Sequence, residues 1–330
     1  MSLTISRESY FTPSRIPVQI AAFDDVTAGP QDLFKTADHH DEVHLMPPPA
    51  RARNMIQTAN GARPYYDAKA DAQAQAAYYQ DFTLNTDDGK EAFELLSALV
   101  KETHTTLLEY HPEKYVYPWV DRRPDGQVQS IYSPESLTEI SPARQRALDK
   151  AMAQMVSFAP FAPETVAAHV SLTQSAGSLN CEHVVPQSWY CAKEPMRGDL
   201  HHLFACDSRC NSYRGNRRYV ESSGLSNEKV AKCGIRTDSD KGFQPMAGHG
   251  AVARATLYFM LRYPKKAAAY SADDLALLLK WHKQEPPSLY EKHRNQAIEE
   301  MQGNRNPLID HPEWAEKIDF TQGVLKNPRL

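Results

Sequence analysis

The sequence has no long apolar run. Nothing in its 330 residues approaches the ~18 consecutive apolar residues of a membrane helix, so a soluble chain with no membrane partner is expected. It also lacks a signal-type core near its start, where the longest apolar stretch, Ile20 to Phe23, falls short of ~7–15 residues. With no visible export signal, the sequence alone predicts a cytoplasmic location. An excess of positive charge is missing too. A formal net charge of -4 argues against wholesale attraction to polyanions, so any contact with nucleic acid has to come from a local basic patch. Arg209, Arg214, Arg217 and Arg218 are the candidates. Cysteine is scarce. All five, Cys181, Cys191, Cys206, Cys210 and Cys233, fall in one segment, and the C-x-x-C spacing of zinc ribbons is absent. An odd number leaves at least one thiol outside any intramolecular disulfide scheme. Disulfides, a structural Zn2+ and free thiols all stay open.

What is present supports a real core: 41% of residues are hydrophobic and 9% aromatic. The length allows one large domain or two ordinary ones. Residues 1–85 are rich in Pro, Asp, Ala and Gln, with Pro47-Pro48-Pro49 and an alanine-rich run from Ala68 to Ala77. They read as an irregular arm that ends in one short helix and has little core of its own. Residues 86–330 read as the main domain. After the turn signal Asp87-Asp88-Gly89, Phe93, Leu96, Val100, Leu107 and Leu108 recur near the helical period until His111-Pro112. Tyr115 to Asp121 and Gln127 to Tyr132 flank Pro124-Asp125-Gly126 and predict a hairpin. Pro142 to Phe158 predicts a further helix, and three more follow from Gly250, Ser271 and Ser288. Ser271 with Asp274 and Ser288 with Glu291 are spaced as capping boxes, and Gly303 is placed to end the last helix. Trp189 and Trp281 read as core anchors. The fold class expected is α+β, with short strands in a mostly helical scaffold.

The chemistry gathers between about 175 and 245. Glu182 and Asn211 offer oxygen ligands that suit Mg2+ or another hard cation. His183, titrating near neutrality, is placed to take a proton from an attacking water. Arg197 and Arg214 can present paired donors to phosphate oxygens, with Arg209, Arg217 and Arg218 as further nucleic-acid contacts. Asp199, two residues before His201, could orient an imidazole, which puts Asp199, His201 and His202 behind the reacting groups. An isolated Glu-His pair is ordinarily a solvated carboxylate beside a half-buried histidine. The ordered combination carries the functional reading. One difficulty is geometric: neighbours on a regular strand face opposite ways, so either the backbone bends at Glu182-His183 or the two act from different sides of the phosphate.

In the blocks Glu182-His183-Val184-Val185-Pro186-Gln187-Ser188-Trp189, Met196-Arg197-Gly198-Asp199-Leu200-His201-His202-Leu203 and Asn211-Ser212-Tyr213-Arg214-Gly215-Asn216, the sequence resembles the endonuclease I family of non-specific nucleases. Further blocks follow in order, from Ala253-Arg254 through Leu279-Lys280-Trp281-His282 to Gly303-Asn304-Arg305-Asn306-Pro307, so the likeness spans roughly residues 90 to 315. The resemblance implies a ββα-metal (His-Me finger) motif. It implies His183 as general base, Glu182 and Asn211 as the protein ligands of one Mg2+ (Mn2+ or Ca2+ being alternatives), and largely sequence-independent hydrolysis of DNA, with RNA left open, giving 5′-phosphate products. It also implies a secreted or periplasmic setting, against the cytoplasmic expectation. Cys181 stands where the family more often has Arg, and Ala251 where an acidic residue is usual. Two other readings are carried forward: a nucleic-acid-binding protein with a weak catalytic site and a structural zinc, and a toxin or effector nuclease whose arm binds a carrier or immunity protein.

Overall fold

In a computed structural model of the chain, the residues described are 64–124, 128–133, 179–222, 229–237, 241–267 and 270–325. The helix expected over Pro142 to Phe158 and most of the N-terminal arm lie outside them. The described part is about half helical with small antiparallel and mixed sheets, an α+β arrangement.

The scaffold is helical for reasons visible in its caps. Helix α1 (Ala68–Tyr78) starts at Asp67, whose carboxylate accepts from the backbone of Lys69 and Ala70. Helix α2 (Gly89–Glu102) is capped in the same way by Asp88 and buries Phe93, Leu96, Leu99 and Val100. It ends before Leu107 and Leu108, sooner than the apolar spacing predicts. The hairpin expected from Tyr115 does not form. Pro112 opens a short helix α3 (Pro112–Tyr115), which runs on as a π-type turn over Val116–Val120. Among the described residues of this stretch, strand pairing is reduced to an isolated Arg122↔Val128 bridge. Tertiary burial decides here: the whole Val116–Val120 run is inside, and Asp121 is bound by Arg294 and by the Ala205 amide. β-Branched and aromatic residues that are buried on every side have no need of strand alternation.

The long C-terminal helices follow the sequence closely. Helix α5 (His249–Arg262) is buried along nearly its whole length and forms the centre of the core. Helix α6 (Ala272–Gln284) begins with the capping box of Ser271 and Asp274, and α7 (Leu289–Gln302) with that of Ser288 and Glu291. Gly303 takes φ 90° after α7, a left-handed conformation suited to glycine, and a side chain there would meet Thr103 and Thr105. A short α8 (Pro307–Asp310) closes the block. Trp281 is buried, and Trp189 packs partly buried against the same core. The described end of the arm is docked on this block, since Asp71 is buried against Arg305, which also holds Glu299 and Asp310.

Two small sheets sit in this frame. Strands β1 (Leu179–His183) and β2 (Leu203–Asp207) pair antiparallel, with Glu182 opposite Phe204 and His183 opposite Leu203. Helix α4 (Ser208–Arg214) follows β2 without a break. Beyond it, β3 (Arg218–Tyr219), β4 (Lys229–Ala231), β5 (Gly234–Thr237) and β6 (Gly242–Pro245) form a mixed sheet in the order β3-β6-β5-β4. A Cys210–Cys233 disulfide ties α4 to the β4–β5 turn.

Candidate active site

The site is assembled where β1, β2 and α4 meet. Asp207, the last residue of β2, turns the chain into α4 by accepting the Arg209 and Cys210 amides on Oδ1, at 2.9 and 3.2 Å. This sets Asn211 one turn into the helix, alongside β1. Its Nδ2 donates to the Cys181 carbonyl at 3.0 Å. A carbonyl can only accept, so the amide orientation follows, and Oδ1 is left without a donor among the described residues.

Glu182 is 1% exposed, and its Oε1 accepts from Arg214 Nη1 at 2.6 Å and Tyr132 Oη at 2.9 Å. Arg214 is equally buried and also donates to the carbonyls of His183 and Val184, at 3.0 and 2.8 Å. Burial pushes the Glu182 carboxyl up to about 7, while Arg214 and Tyr132 pull it down. No described residue donates to Oε2. One carboxylate oxygen and one amide oxygen, Glu182 Oε2 and Asn211 Oδ1, are therefore unclaimed. Both are hard donors, and the pair fits a divalent cation that keeps several waters.

The strand does not bend between Glu182 and His183; the β1–β2 ladder runs through both. Their side chains diverge as strand alternation requires. Glu182 faces Tyr132 and Arg214, while His183 faces Arg197, Tyr110 and His202. The first of the two geometric solutions, a bend in the backbone, is not adopted.

His183 Nε2 lies 3.0 Å from the Arg197 carbonyl. Its proton must therefore sit on Nε2, which leaves the Nδ1 lone pair as the basic position. Burial, and then the neighbouring His202, hold the imidazole well below its usual pKa, so it is neutral at neutral pH. Tyr110 packs against this ring at 4.8 Å between centroids, and the Arg197 guanidinium lies over the same tyrosine, 4.8 Å from its ring centre.

The arginines divide. Arg197 is half-buried, and Gln187 Oε1 fixes its Nε at 3.1 Å, so its role is double: its carbonyl orients the base and its side chain flanks it. Arg214 is buried, and its hydrogen bonds go to Glu182 and to the backbone that follows it rather than outward, as a direct phosphate contact would need. Arg209 is exposed on α4. Arg217 donates to the Thr237 carbonyl at 3.3 Å, and Arg218 is engaged by Asp274. Of the three residues expected to contact nucleic acid, only Arg209 stands largely clear of the protein.

Asp199, His201 and His202 do not form the expected carboxylate–imidazole relay. Asp199 accepts from the His201 amide (3.0 Å), Gln302 Nε2 (3.1 Å), Tyr258 Oη (2.9 Å) and Tyr263 Oη (3.0 Å). The His201 ring instead meets the Asn304 carbonyl at 3.1 Å, and the His202 ring the Met196 carbonyl at 2.6 Å. All three are buried, and their hydrogen bonds go to the surrounding scaffold. Only His202 reaches the site, edge-on to His183 at 5.5 Å.

Tyr132, Tyr219, Tyr110 and Gln187 escaped the sequence reading. Tyr132 lies fifty positions before Glu182, so no local spacing could link them. Among the cysteines one disulfide forms, Cys181 and Cys206 are buried thiols and Cys191 is exposed. Among the described residues, no group of three or more His, Cys, Asp or Glu gathers to hold a metal.

The class of protein in which this chain sits follows from its sequence likeness. The sequence model of the Endonuclease I family matches residues 101–313, and the chain belongs to that family. It is 36% identical over 162 residues to an extracellular ribonuclease of Bacillus amyloliquefaciens, covering 44% of this chain and 55% of that protein. It is 32% identical over 158 residues to an extracellular deoxyribonuclease of Aeromonas hydrophila (42% and 67%), and 33% over 156 residues to a periplasmic deoxyribonuclease of the same organism (41% and 64%). The chain thus spans about half the length of the ribonuclease it matches. Among the described residues, no helix is long and apolar enough to cross a membrane.

Proposed function

We propose that the chain is a metal-dependent endonuclease that hydrolyses phosphodiester bonds with little regard to sequence, and that β1, β2 and α4 are its ββα-metal motif. The observation that carries this reading is the His183 hydrogen bond to the Arg197 carbonyl, which fixes the tautomer and leaves Nδ1 unprotonated at neutral pH. In the reaction, His183 Nδ1 takes the proton of a water that attacks phosphorus in line with the leaving 3′ oxygen, so the phosphate stays on the 5′ side. Glu182 Oε2 and Asn211 Oδ1 would hold the cation. When bound, Mg2+ or a similar ion supplies positive charge to the transition state and the leaving oxygen. Arg197 provides the nearest cationic donors for the phosphate, and Arg209 a contact further along α4. Contacts to phosphate rather than to base edges carry no sequence information, so cleavage is non-specific. DNA is the proposed substrate, in line with the deoxyribonuclease relatives, and RNA a second one, in line with the ribonuclease.

The Cys210–Cys233 disulfide favours an oxidising compartment and hence a secreted or periplasmic setting over the cytoplasmic one. The test is digestion of circular DNA and of RNA by the purified chain with Mg2+ and with EDTA, beside His183→Ala. Nicking that needs Mg2+ and is lost in the variant is expected. Equal turnover by the two proteins would remove His183 from the role of base.

A further inference from the structure

We propose that Tyr132, backed by Tyr219, is a positioning residue that restricts Glu182 to one-oxygen ligation and thereby selects a small octahedral cation over Ca2+. The inference rests on the metal reading given above.

A carboxylate oxygen offers about two lone-pair directions. On Glu182 Oε1 both are taken, one by Arg214 Nη1 at 2.6 Å and one by Tyr132 Oη at 2.9 Å. Arg214 and Tyr132 lie fully inside the protein, so neither donor is a chance surface contact. Tyr132 has a single proton, and it is spent on Glu182. Its oxygen, 2.7 Å from Tyr219 Oη, must then be the acceptor of the Tyr219 proton. The hydroxyls form a directed chain, Tyr219 to Tyr132 to Glu182, and the Tyr219 ring also lies under the Arg214 guanidinium at 4.8 Å. Both tyrosines thus act on the same pair, one through its hydroxyl and the other through its hydroxyl and ring face.

The consequence concerns geometry at the ion. With Oε1 saturated, Glu182 can offer only Oε2. Ca2+ takes six to eight oxygens and readily accepts both oxygens of a carboxylate, whereas Mg2+, and Mn2+ like it, demands near-octahedral single-oxygen ligation. Removing the Tyr132 hydroxyl frees a lone pair of Oε1, loosens Oε2 and opens the two-oxygen mode. Partners that orient a metal ligand in this way commonly account for about 10–100-fold in affinity.

The experiment is calorimetric titration of the full chain with Mn2+ and with Ca2+ in the absence of nucleic acid, for the parent, Tyr132→Phe and Tyr219→Phe. Tyr132→Phe is expected to weaken Mn2+ about tenfold and Ca2+ less, so that the Mn2+/Ca2+ affinity ratio narrows. Tyr219→Phe is expected to move the ratio the same way by a smaller factor. A merely structural role would weaken both ions alike, so a ratio unchanged in Tyr132→Phe overturns the proposal. If Tyr132→Phe does not fold, the ratio in Tyr219→Phe decides in the same sense. Failure of the parent chain to bind Mn2+ at all overturns the metal reading and this proposal together, and is distinct from binding that the substitutions leave untouched.

Discussion

Two clusters in this protein contain the same kinds of residue and do opposite things with them. Around Glu182, His183 and Asn211, each group is held through one atom and keeps another open among the described residues: Glu182 keeps Oε2, Asn211 keeps Oδ1 and His183 keeps Nδ1. Around Asp199, both carboxylate oxygens are consumed by donors from Tyr258, Tyr263, Gln302 and the His201 backbone. The second cluster links the loop before β2 to α5 and α7. Read as sequence, Glu-His and Asp-x-His-His are equally suggestive of chemistry. What separates the two carboxylates is whether the fold leaves an oxygen over: Asp199 is bonded at both oxygens, which gives rigidity, and Glu182 at one, which leaves an atom for a ligand.

The largest effect expected from this contrast is on turnover. His183→Ala removes the basic Nδ1 and should lower the rate of DNA hydrolysis by about 10²–10⁴-fold, with circular dichroism and thermal midpoint near those of the parent. Asp199→Ala should reverse the pattern. It strands four donors in the interior, and a loss of about 3–5 kcal/mol of stability is expected from urea unfolding, while specific activity per folded molecule at low temperature is retained. Should Asp199→Ala abolish turnover without destabilising the chain, the two clusters would be one functional unit and the contrast would fail.

A weaker but more discriminating effect is expected with pH. Burial holds His201 down to about 4, although Asp199 opposes it. An unfolded histidine titrates near ~6.5. Between these values the unfolded chain binds a proton that the folded chain does not, so this residue's contribution to stability is intact above about pH 6.5 and is lost as pH falls towards 4. Glu182, raised to about 7, works in the other direction over the same window, because there the folded chain holds the extra proton. His201 and Glu182 therefore have opposite acid responses. Comparing urea midpoints of the parent and His201→Gln at pH 7.5, 5.5 and 4.5 isolates the first: the acid loss should be shallower in the variant. Parallel curves would show that His201 carries no proton linkage.

How much of this was legible in the sequence depended on the range of the interaction. The capping boxes of α6 and α7 and the glycine after α7 are local, and Ser271, Asp274, Ser288, Glu291 and Gly303 all act as their spacing indicates. The buried run after Tyr115 misled because its residues suit a strand by type, whereas packing on every side and the Asp121–Arg294 pair hold it in a helical turn. In the candidate site, the spacing of Glu182, His183 and Asn211 along the chain suggested residues that the fold brings together on β1 and α4. Which arginine stays free was not, since Arg214 is claimed by a carboxylate thirty-two residues away and Arg218 by Asp274, fifty-six residues on. Long-range satisfaction of charge is invisible to spacing.

That division among the arginines leads to the smallest expected effect. Arg209 has a side chain 75% exposed, and its nearest carboxylate, Asp207 Oδ1, lies 3.6 Å away and is already taken up by the α4 cap. An exposed pair of this kind contributes little to stability, so Arg209→Ala should leave the urea midpoint within about 0.5 kcal/mol of the parent. Its effect belongs to binding. If Arg209 neutralises one backbone phosphate, the slope of log affinity against log salt for DNA should fall by about 1, uniformly across sequences. Measured with His183→Ala as the background, so that the DNA survives the titration, this separates a phosphate contact from a bystander. Arg218→Ala offers the converse: its guanidinium is engaged by Asp274 across to α6, so its removal should cost stability and leave the salt slope where it was. A slope that drops for Arg218→Ala and not for Arg209→Ala would move the nucleic-acid track from α4 to the β3 edge, and with it the side of the site from which the phosphate approaches His183.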